Sequence, residues 1–412
     1  MNLVVFDDNC WRNFLPLTFT RPVGDLRLGI LKLRQRLSAY LDFETSGVLV
    51  IPELTALYRE RHPQWLINQT ANSETLFVNS RLIIDDGLVE RIHQLPSGNS
   101  LWQGADLLAA VFTPQAGEFT YRQLSEKAGL LQREEAEQVQ LWQNIWEMIS
   151  RNAEYIEKDF QDFFYDKDNF FETEIGITVL NPYNIWLGEG VEIKPGVVID
   201  ASAGPVVVDE GTLILPNTVI IGPAYIGKNT ILKAGARILA GTSIGPVCKI
   251  GGELESSIIQ GYSNKQHDGY LGHSYLGEWV NIGAGTSNSD LKNNYRSVRS
   301  YYYPRGEIVD TGQQFLGTIC GDHVKLGINT AINTGSVIGT GCNLFGGSLI
   351  SGFIPSLHWG SGQQLEAYDV ERFLAAVRIV KDRRGLELSV VESSLYQLLP
   401  EMEQKLFDAA GP

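Results

Sequence analysis

From Val208 onward an aliphatic residue returns every six positions: Val208, Ile214, Ile220, Ile226, Leu232, Ile238, Ile244 and Ile250. Leu187, Ile193 and Ile199 lead into this run, Leu276 and Ile282 resume it, and Leu326, Ile332, Ile338, Leu344 and Ile350 carry it further. A sustained period of six fits neither an amphipathic helix nor a half-buried strand, whose periods are 3.6 and 2. It fits a stack of coils in which each hexad lays down one flat face and three faces close a turn. The aliphatic residue then points into a narrow triangular core, and glycine and small residues make the corners. Glycine supports this, because the chain has 42 among 412 residues, several directly after the aliphatic position, as in Ile226-Gly227, Ile244-Gly245 and Leu326-Gly327. Residues 181–353 are therefore expected to form a left-handed parallel β-helix of hexapeptide repeats. So thin a prism cannot enclose a ligand, which directs any site to a surface between subunits.

The segment before the repeats has a different grammar. Residues 1–120 alternate short apolar strands (Leu3–Phe6, Gly47–Ile51, Thr75–Val78) with a helical period through Ile30, Leu33 and Leu37, the pattern of an α/β, Rossmann-like domain. Residues 121–180 are expected to be a helical linker, since Leu141, Ile145, Met148 and Ile149 recur at three and four in a polar background. Residues 354–412 form a tail with a helix over about 366–381 that packs back on the solenoid.

Charge narrows the function classes. The net charge is −15 and no Lys/Arg run occurs, which argues against nucleic acid or an anionic membrane as partner. A phosphorylated ligand must be held by a few local cations. Cys10, Cys248, Cys320 and Cys342 follow no disulfide or zinc spacing, as expected for a reduced, cytoplasmic protein. The first residues turn acidic too soon for a signal peptide, and no apolar run is long enough to span a bilayer.

Two segments break the six-residue period, 251–275 and 288–315. The first holds His267 and His273 beside Tyr262, Lys265, Asp268, Tyr270 and Tyr275. An imidazole titrating near neutrality suits a general base that takes a proton from an amine, and no third ligand completes a metal set. The stretch His267-Asp268-Gly269-Tyr270-Leu271-Gly272, followed by Asn281-Ile282-Gly283-Ala284-Gly285-Thr286, resembles the acetyltransferase half of the bacterial bifunctional N-acetylglucosamine-1-phosphate uridyltransferase/glucosamine-1-phosphate acetyltransferase family. That family reads G-H-L-T-Y-L-G, a short hexad, then N-I-G-A-G-T. The resemblance implies acetyl-CoA-dependent N-acetylation of an amino-sugar 1-phosphate, glucosamine 1-phosphate first, by a homotrimer. It implies His267 as base, Tyr270 and Asn281 as sugar ligands, Arg237 as a phosphate ligand, and the backbone of Gly283, Ala284 and Gly285 toward the thioester. The family's lysine before the catalytic loop falls on Glu255, leaving Lys265, Lys292 or Arg296 as replacement cations.

The N-terminal segment resembles sugar-phosphate nucleotidyltransferases, whose first strand runs into L-x-x-G-x-G-T-R and then P-L-T-x-x-R-P-K. Here Asp7-Asp8-Asn9-Cys10-Trp11-Arg12 precedes Pro16-Leu17-Thr18-Phe19-Thr20-Arg21-Pro22-Val23. The resemblance marks Asp8, Arg12 and Arg21 as nucleotide ligands for UTP or another nucleoside triphosphate, but both glycines are gone. Arg81 stands where the family's metal-holding Asp would follow the Leu76–Asn79 strand. Mg²⁺ is implied only if this domain transfers a nucleotide, with Asp7, Asp8, Asp85 and Asp86 as nearby carboxylates. Two alternatives remain at this stage: a sugar-1-phosphate nucleotidyltransferase with a purely structural β-helix, and a non-catalytic regulatory or scaffold homologue.

Overall fold

The computed structural model describes residues 1–169 and 175–410. From Thr178 onward, strands of two to four residues stack into three sheets of six, nine and ten strands, the faces of a left-handed β-helix, parallel throughout except that Gln364–Ala367 pairs antiparallel with His358–Ser361. Each face carries one buried column. On the nine-stranded face it runs Leu187, Val208, Ile226, Ile244, Ile259, Leu276, Cys320, Ile338, Ile354, each residue paired in register with the next. The aliphatic positions of the six-residue period all lie in this one core, which is why that period persists: a β-branched or leucyl side chain fills the inside of each rung.

The first break in the period does not interrupt the prism. Strands Glu253–Glu255, Ile258–Gly261, Asn264–Lys265 and Tyr270–Gly272 continue the stack, and Leu254, Ile259 and Leu271 supply its core. The phase slips because the corners are shortened, so that Ile250 pairs with Lys265 after fewer residues than separate Leu232 from Ile250. The second break does leave the prism, as an antiparallel hairpin of Arg299–Tyr302 with Glu307–Asp310.

The N-terminal domain is a mixed seven-stranded sheet in the order 132–135, 99–103, 106–112, 75–79, 2–6, 45–49, 66–67. The strands 2–6, 45–49, 66–67 and 75–79 run parallel, as the βαβ reading requires, and 106–112 runs antiparallel to 75–79. Helices α1 (Leu33–Leu41), α2 (Thr55–Arg61) and α3 (Asp86–His93) pack around it. The stretch expected as one polar helical linker is broken instead. It forms α4 (Tyr121–Ala128), the edge strand Gln132–Glu135, α5 (Ile145–Ser150) and α6 (Asn152–Phe163). Thr120 caps α4, Gly129 ends it, and Gln132–Glu135 joins the sheet edge through backbone bonds that its polar side chains do not oppose. The tail holds α7 (Val370–Asp382), which starts after the Asp369 cap rather than near 366, and the longer α8 (Val390–Ala410).

The two domains share a core. Outward from the nine-stranded face points a second column: Trp186, Val207, Tyr225, Ser243, Ile258, Tyr275, Ile319, Val337, Phe353. Trp186, Val207 and Tyr225 pack on Ile156, Phe160 and Phe164. Ile258, Tyr275, Ile319 and Val337 merge with the apolar interior of the N-terminal domain and the tail helices. Several hydrogen bonds cross the seam. Tyr275 Oη donates to Arg27 O (2.8 Å), Gln260 Nε2 to Asp25 O (3.0 Å) and Asn152 Nδ2 to Gly241 O (2.7 Å).

At the seam Arg21 donates two bonds to Asp322 of the β-helix, at 2.9 and 2.7 Å. Thr20 Oγ1 donates to the same carboxylate at 2.7 Å. Burial by itself would lower the guanidinium pKa, but Asp322 and Glu278 outweigh it and hold it above its ordinary value. Arg21 and Asp322 are 3% and 2% exposed, so cutting Asp322→Ala removes both hydrogen bonds of a buried cation and leaves it only Glu278 at 3.4 Å. The expected loss is about 3–5 kcal/mol of unfolding free energy, read by denaturant titration, with a smaller loss when Arg21→Met is combined with Asp322→Leu.

Candidate active site

The two motif segments lie on consecutive coils. Asn264 pairs with Asn281, and Gly285 N donates to Asp268 O at 2.9 Å, which stacks the corner at His267 directly over the Ala284 corner. His267 is exposed, and among the described residues its imidazole has no hydrogen-bond partner. Next to the corner, Tyr270 points outward between carboxylates, with Oη 2.9 Å from Glu255 Oε2 and 2.8 Å from Asp290 Oδ2. Its ring lies flat across Gly272, where a Cβ would collide with both the Tyr270 hydroxyl and Asp290. His273 Nδ1 meets the same Asp290 oxygen at 2.7 Å, and its ring stacks on Phe315 at 4.9 Å. Burial pushes the Tyr270 phenol upward, helped by both carboxylates. Burial opposes ionisation of Asp290, but the bonds from His273 and Tyr270 prevail and lower its pKa.

Lys265 is not a surface cation. It occupies the inward column next to Ile250, is 2% exposed, and its Nζ donates to His267 O at 3.0 Å. Burial pulls its pKa down to about 8. The side chain thus holds the backbone of the His267 turn from beneath, and no phosphate reaches it. Other expected ligands also lie apart. Arg237 heads the outward column Arg237–Glu253–Tyr270, and its Nε bonds Glu253 at 2.9 Å. Lys292 Nζ donates to Ser297 O at 2.7 Å within the second loop, and Arg296 is exposed. Asn281 faces a different cleft, of about 360 Å³, shared with Lys249, Lys325, Arg383 and Arg384. The N–H groups of Gly283 and Gly285 are already donated, to Leu326 O and Asp268 O at 2.9 Å each. Among the described residues the Ala284 N–H has no such partner.

In the N-terminal domain the expected nucleotide ligands are not brought together. Arg21 is spent on Asp322, and Arg12 is exposed beside Trp11. Asp8 caps the 3₁₀ turn Asn9–Phe14 through Cys10 N, which occupies the stretch where a glycine-rich loop would run. Asp8, Cys10 and Asp106 converge closely enough to suggest a metal cluster. Arg81 fills that role instead: Nε is 3.0 Å from both Asp8 oxygens, and Nη2 is 2.5 Å from Asp8 and 3.1 Å from Asp106. A guanidinium already neutralising both carboxylates repels a divalent cation, so Mg²⁺ does not fit there. Asp7 accepts from Val23 N and Ser80 Oγ, and burial raises its pKa to about 7. Asp85 caps α3 through Leu88 N at 2.8 Å, and Asp86 lies exposed in that helix's first turn.

Comparison with known proteins agrees with both halves. Residues 3–166 match the family model described as sugar nucleotidyl transferase, and residues 205–240 match the bacterial transferase hexapeptide (six repeats). The bifunctional protein GlmU of Bartonella quintana (strain Toulouse) is 28% identical over 204 residues, 47% of this chain and 40% of that protein. The bifunctional sugar-1-phosphate nucleotidylyltransferase/acetyltransferase of Sulfurisphaera tokodaii is 32% identical over 163 residues, 40% of this chain and 38% of that protein. The chain is a divergent relative of these bifunctional proteins. It spans about two fifths of the length of the curated relatives it matches. Among the described residues no helix is long and apolar enough to cross a membrane.

Sequence reasoning singled out His267, Tyr270 and Asn281 and did not anticipate the Glu255–Tyr270–Asp290–His273 cluster. Asp290 lies in the divergent SNSD stretch, and only the fold of the second loop carries it back over Gly272. Lys265→Met offers a direct check on the buried lysine. The folded state disfavours its protonated form, so its contribution to stability rises from about pH 8 toward its unfolded pKa near 10.5. Lys265→Met is expected to abolish that rise and to hold or raise the melting temperature at pH 7, measured by calorimetry across pH.

Proposed function

We propose that the chain transfers an acetyl group from acetyl-CoA to the amine of an amino-sugar 1-phosphate, glucosamine 1-phosphate first, at the β-helix corner that carries His267. The observation behind this reading is the stacking of the His267–Gly272 and Asn281–Thr286 segments on consecutive coils, tied by the Gly285 N to Asp268 O bond. An exposed, unpartnered imidazole at that corner is free to take the proton from the attacking amine. The amine nitrogen forms the new bond to the thioester carbonyl carbon, and the sulfur departs as the carbon–sulfur bond breaks. The Ala284 N–H, unlike its neighbours, is free to stabilise the developing oxyanion. Tyr270, fixed between Glu255 and Asp290, contributes a rigid polar wall to the sugar subsite.

The proposed assembly is a homotrimer. Support comes from the nine-stranded face, which the N-terminal domain covers, leaving the other two faces for neighbouring copies. Nucleotidyl transfer is not part of the proposal, because Arg81 takes the place a divalent cation would need.

A second reading rests on one contact. Asp290 orients His273 through Nδ1, the arrangement that leaves Nε2 to act as a base. Acetyl transfer from acetyl-CoA to glucosamine 1-phosphate, followed by thiol release, separates the two. His267→Ala is expected to lower kcat at least 10²-fold, the scale of a lost general base, with His273→Ala losing less. The reverse order would transfer the role to His273. Activity unaffected in both variants would remove the His267 corner as the site of transfer, and no transfer by the parent protein would sink the acetyltransferase reading. With UTP, N-acetylglucosamine 1-phosphate and Mg²⁺, no pyrophosphate release is expected.

A further inference from the structure

The ten-stranded face carries an outward column that the sequence motifs only brush. Lys249, Asn264, Asn281 and Lys325 succeed one another in register on adjacent coils. The end of α7 closes over this column, bringing Arg383 and Arg384 to the same cleft of about 360 Å³, and Arg384 Nη2 donates to Asn264 Oδ1 at 2.9 Å. Trp279 forms the back wall, stacked on Tyr262 at 4.5 Å, and its carbonyl accepts from Lys325 Nζ at 2.6 Å.

Four cations thus converge in a chain of net charge −15, and among the described residues none of the four has an ion-pair partner. Asp322, whose charge attracts Lys325 from beyond ion-pair distance, is bonded to Arg21 and Thr20, and Glu278 lies 3.4 Å from Arg21. Like charges gathered without counter-charges repel one another, and an anion between them removes that cost. Carboxamides between the cations supply neutral donors and acceptors for hydroxyl groups. Three strand spacings separate Lys249 from Lys325, roughly 14 Å, longer than a bare phosphate and suited to a phosphate carried on a larger polar body.

We infer that this cleft binds the phosphoryl group of a phosphorylated small molecule, with Lys249, Lys325, Arg383 and Arg384 as its ligands. The inference deepens the proposed function, because it moves the phosphate contact away from Arg237, which is tied to Glu253, to a cleft that begins at Asn281. Binding, not turnover, tests it.

Isothermal titration of the full chain with glucosamine 1-phosphate and, separately, with coenzyme A identifies the source of the phosphate. Glucosamine and pantetheine serve as phosphate-free controls. At least one phosphorylated ligand is expected to bind, more weakly at high salt, and its phosphate-free counterpart is expected not to. Lys249→Ala and Arg384→Ala should each weaken it about tenfold, the size of one charge-assisted hydrogen bond. Arg237→Ala should leave it unchanged. Both Lys249 and Arg384 reach the cleft from the surface, so melting temperatures of these variants are expected to match the parent. Binding lost in Arg237→Ala but kept in the cleft variants overturns the inference, as do cleft variants that bind normally or that only melt earlier. Phosphate binding in the cleft without acetyl transfer by the parent protein would sustain this inference and remove the acetyltransferase reading. Acetyl transfer with no effect of the cleft variants would do the opposite.

Discussion

One face of the β-helix has no solvent side. In a regular hexapeptide prism each strand sends one residue inward and its neighbours outward to water. On the nine-stranded face the outward column, from Trp186 through Val207, Tyr225, Ile258, Tyr275, Ile319 and Val337, is apolar at all but Ser243, whose hydroxyl bonds Gly29 O. Burial of that column, at about 25 cal/mol for each Å² removed from water, obliges something to cover it. The N-terminal sheet, α6 and the tail helices do so together. The position of every candidate site follows, because two faces and their shared corner are what remain.

That seam has drawn in residues that a nucleotidyltransferase would use for its substrate. Arg21 is the clearest instance: its two-pronged bond to Asp322 suits a guanidinium to a buried carboxylate and leaves nothing for a triphosphate. Arg81 is likewise committed, but within the N-terminal domain itself. Placed where a carboxylate would hold a metal, it satisfies Asp8 and Asp106 by itself and so preserves the local charge balance without an ion. The N-terminal domain keeps the fold of its family while Arg21 is committed to the β-helix and Arg81 to its own carboxylates. Fold and function are separable in this way because a sheet needs only its apolar pattern, whereas a site needs particular free groups.

The His267 corner shows the opposite economy. Lys265 occupies a core position that every neighbouring rung gives to an aliphatic residue, at a desolvation cost visible in its depressed pKa. Local rules are broken where a backbone turn must be held in a particular shape, and the ammonium reaches the one carbonyl, His267 O, that defines the turn. Tyr270 is handled similarly, laid over Gly272 and fixed by two carboxylates, which stiffens the wall beside the exposed imidazole.

Much of this was legible in the amino-acid order. The six-residue period determined the prism and most of its core residues, because a repeating inside position leaves a repeating chemical trace, whereas the shortened corners over 251–275 broke that trace and showed only in the structure. The motif residues His267, Tyr270 and Asn281 were visible for the same reason, being adjacent along the chain. The doubled apolar residues of the nine-stranded face, as in Val206-Val207-Val208 and Tyr275-Leu276, were a readable sign that its outside is buried too. What only the tertiary structure decided was which charges are free. Asp322 lies some three hundred residues from Arg21 in sequence, Asp290 reaches Tyr270 by way of a loop, and Arg384 meets Asn264 through a helix in the tail. Pairing of charges depends on distance in space, which residue spacing along a chain does not encode. Arg21, Lys265 and Arg237 therefore look like ligands in the sequence and are committed in the fold, while Lys249, Lys325, Arg383 and Arg384 look scattered and converge.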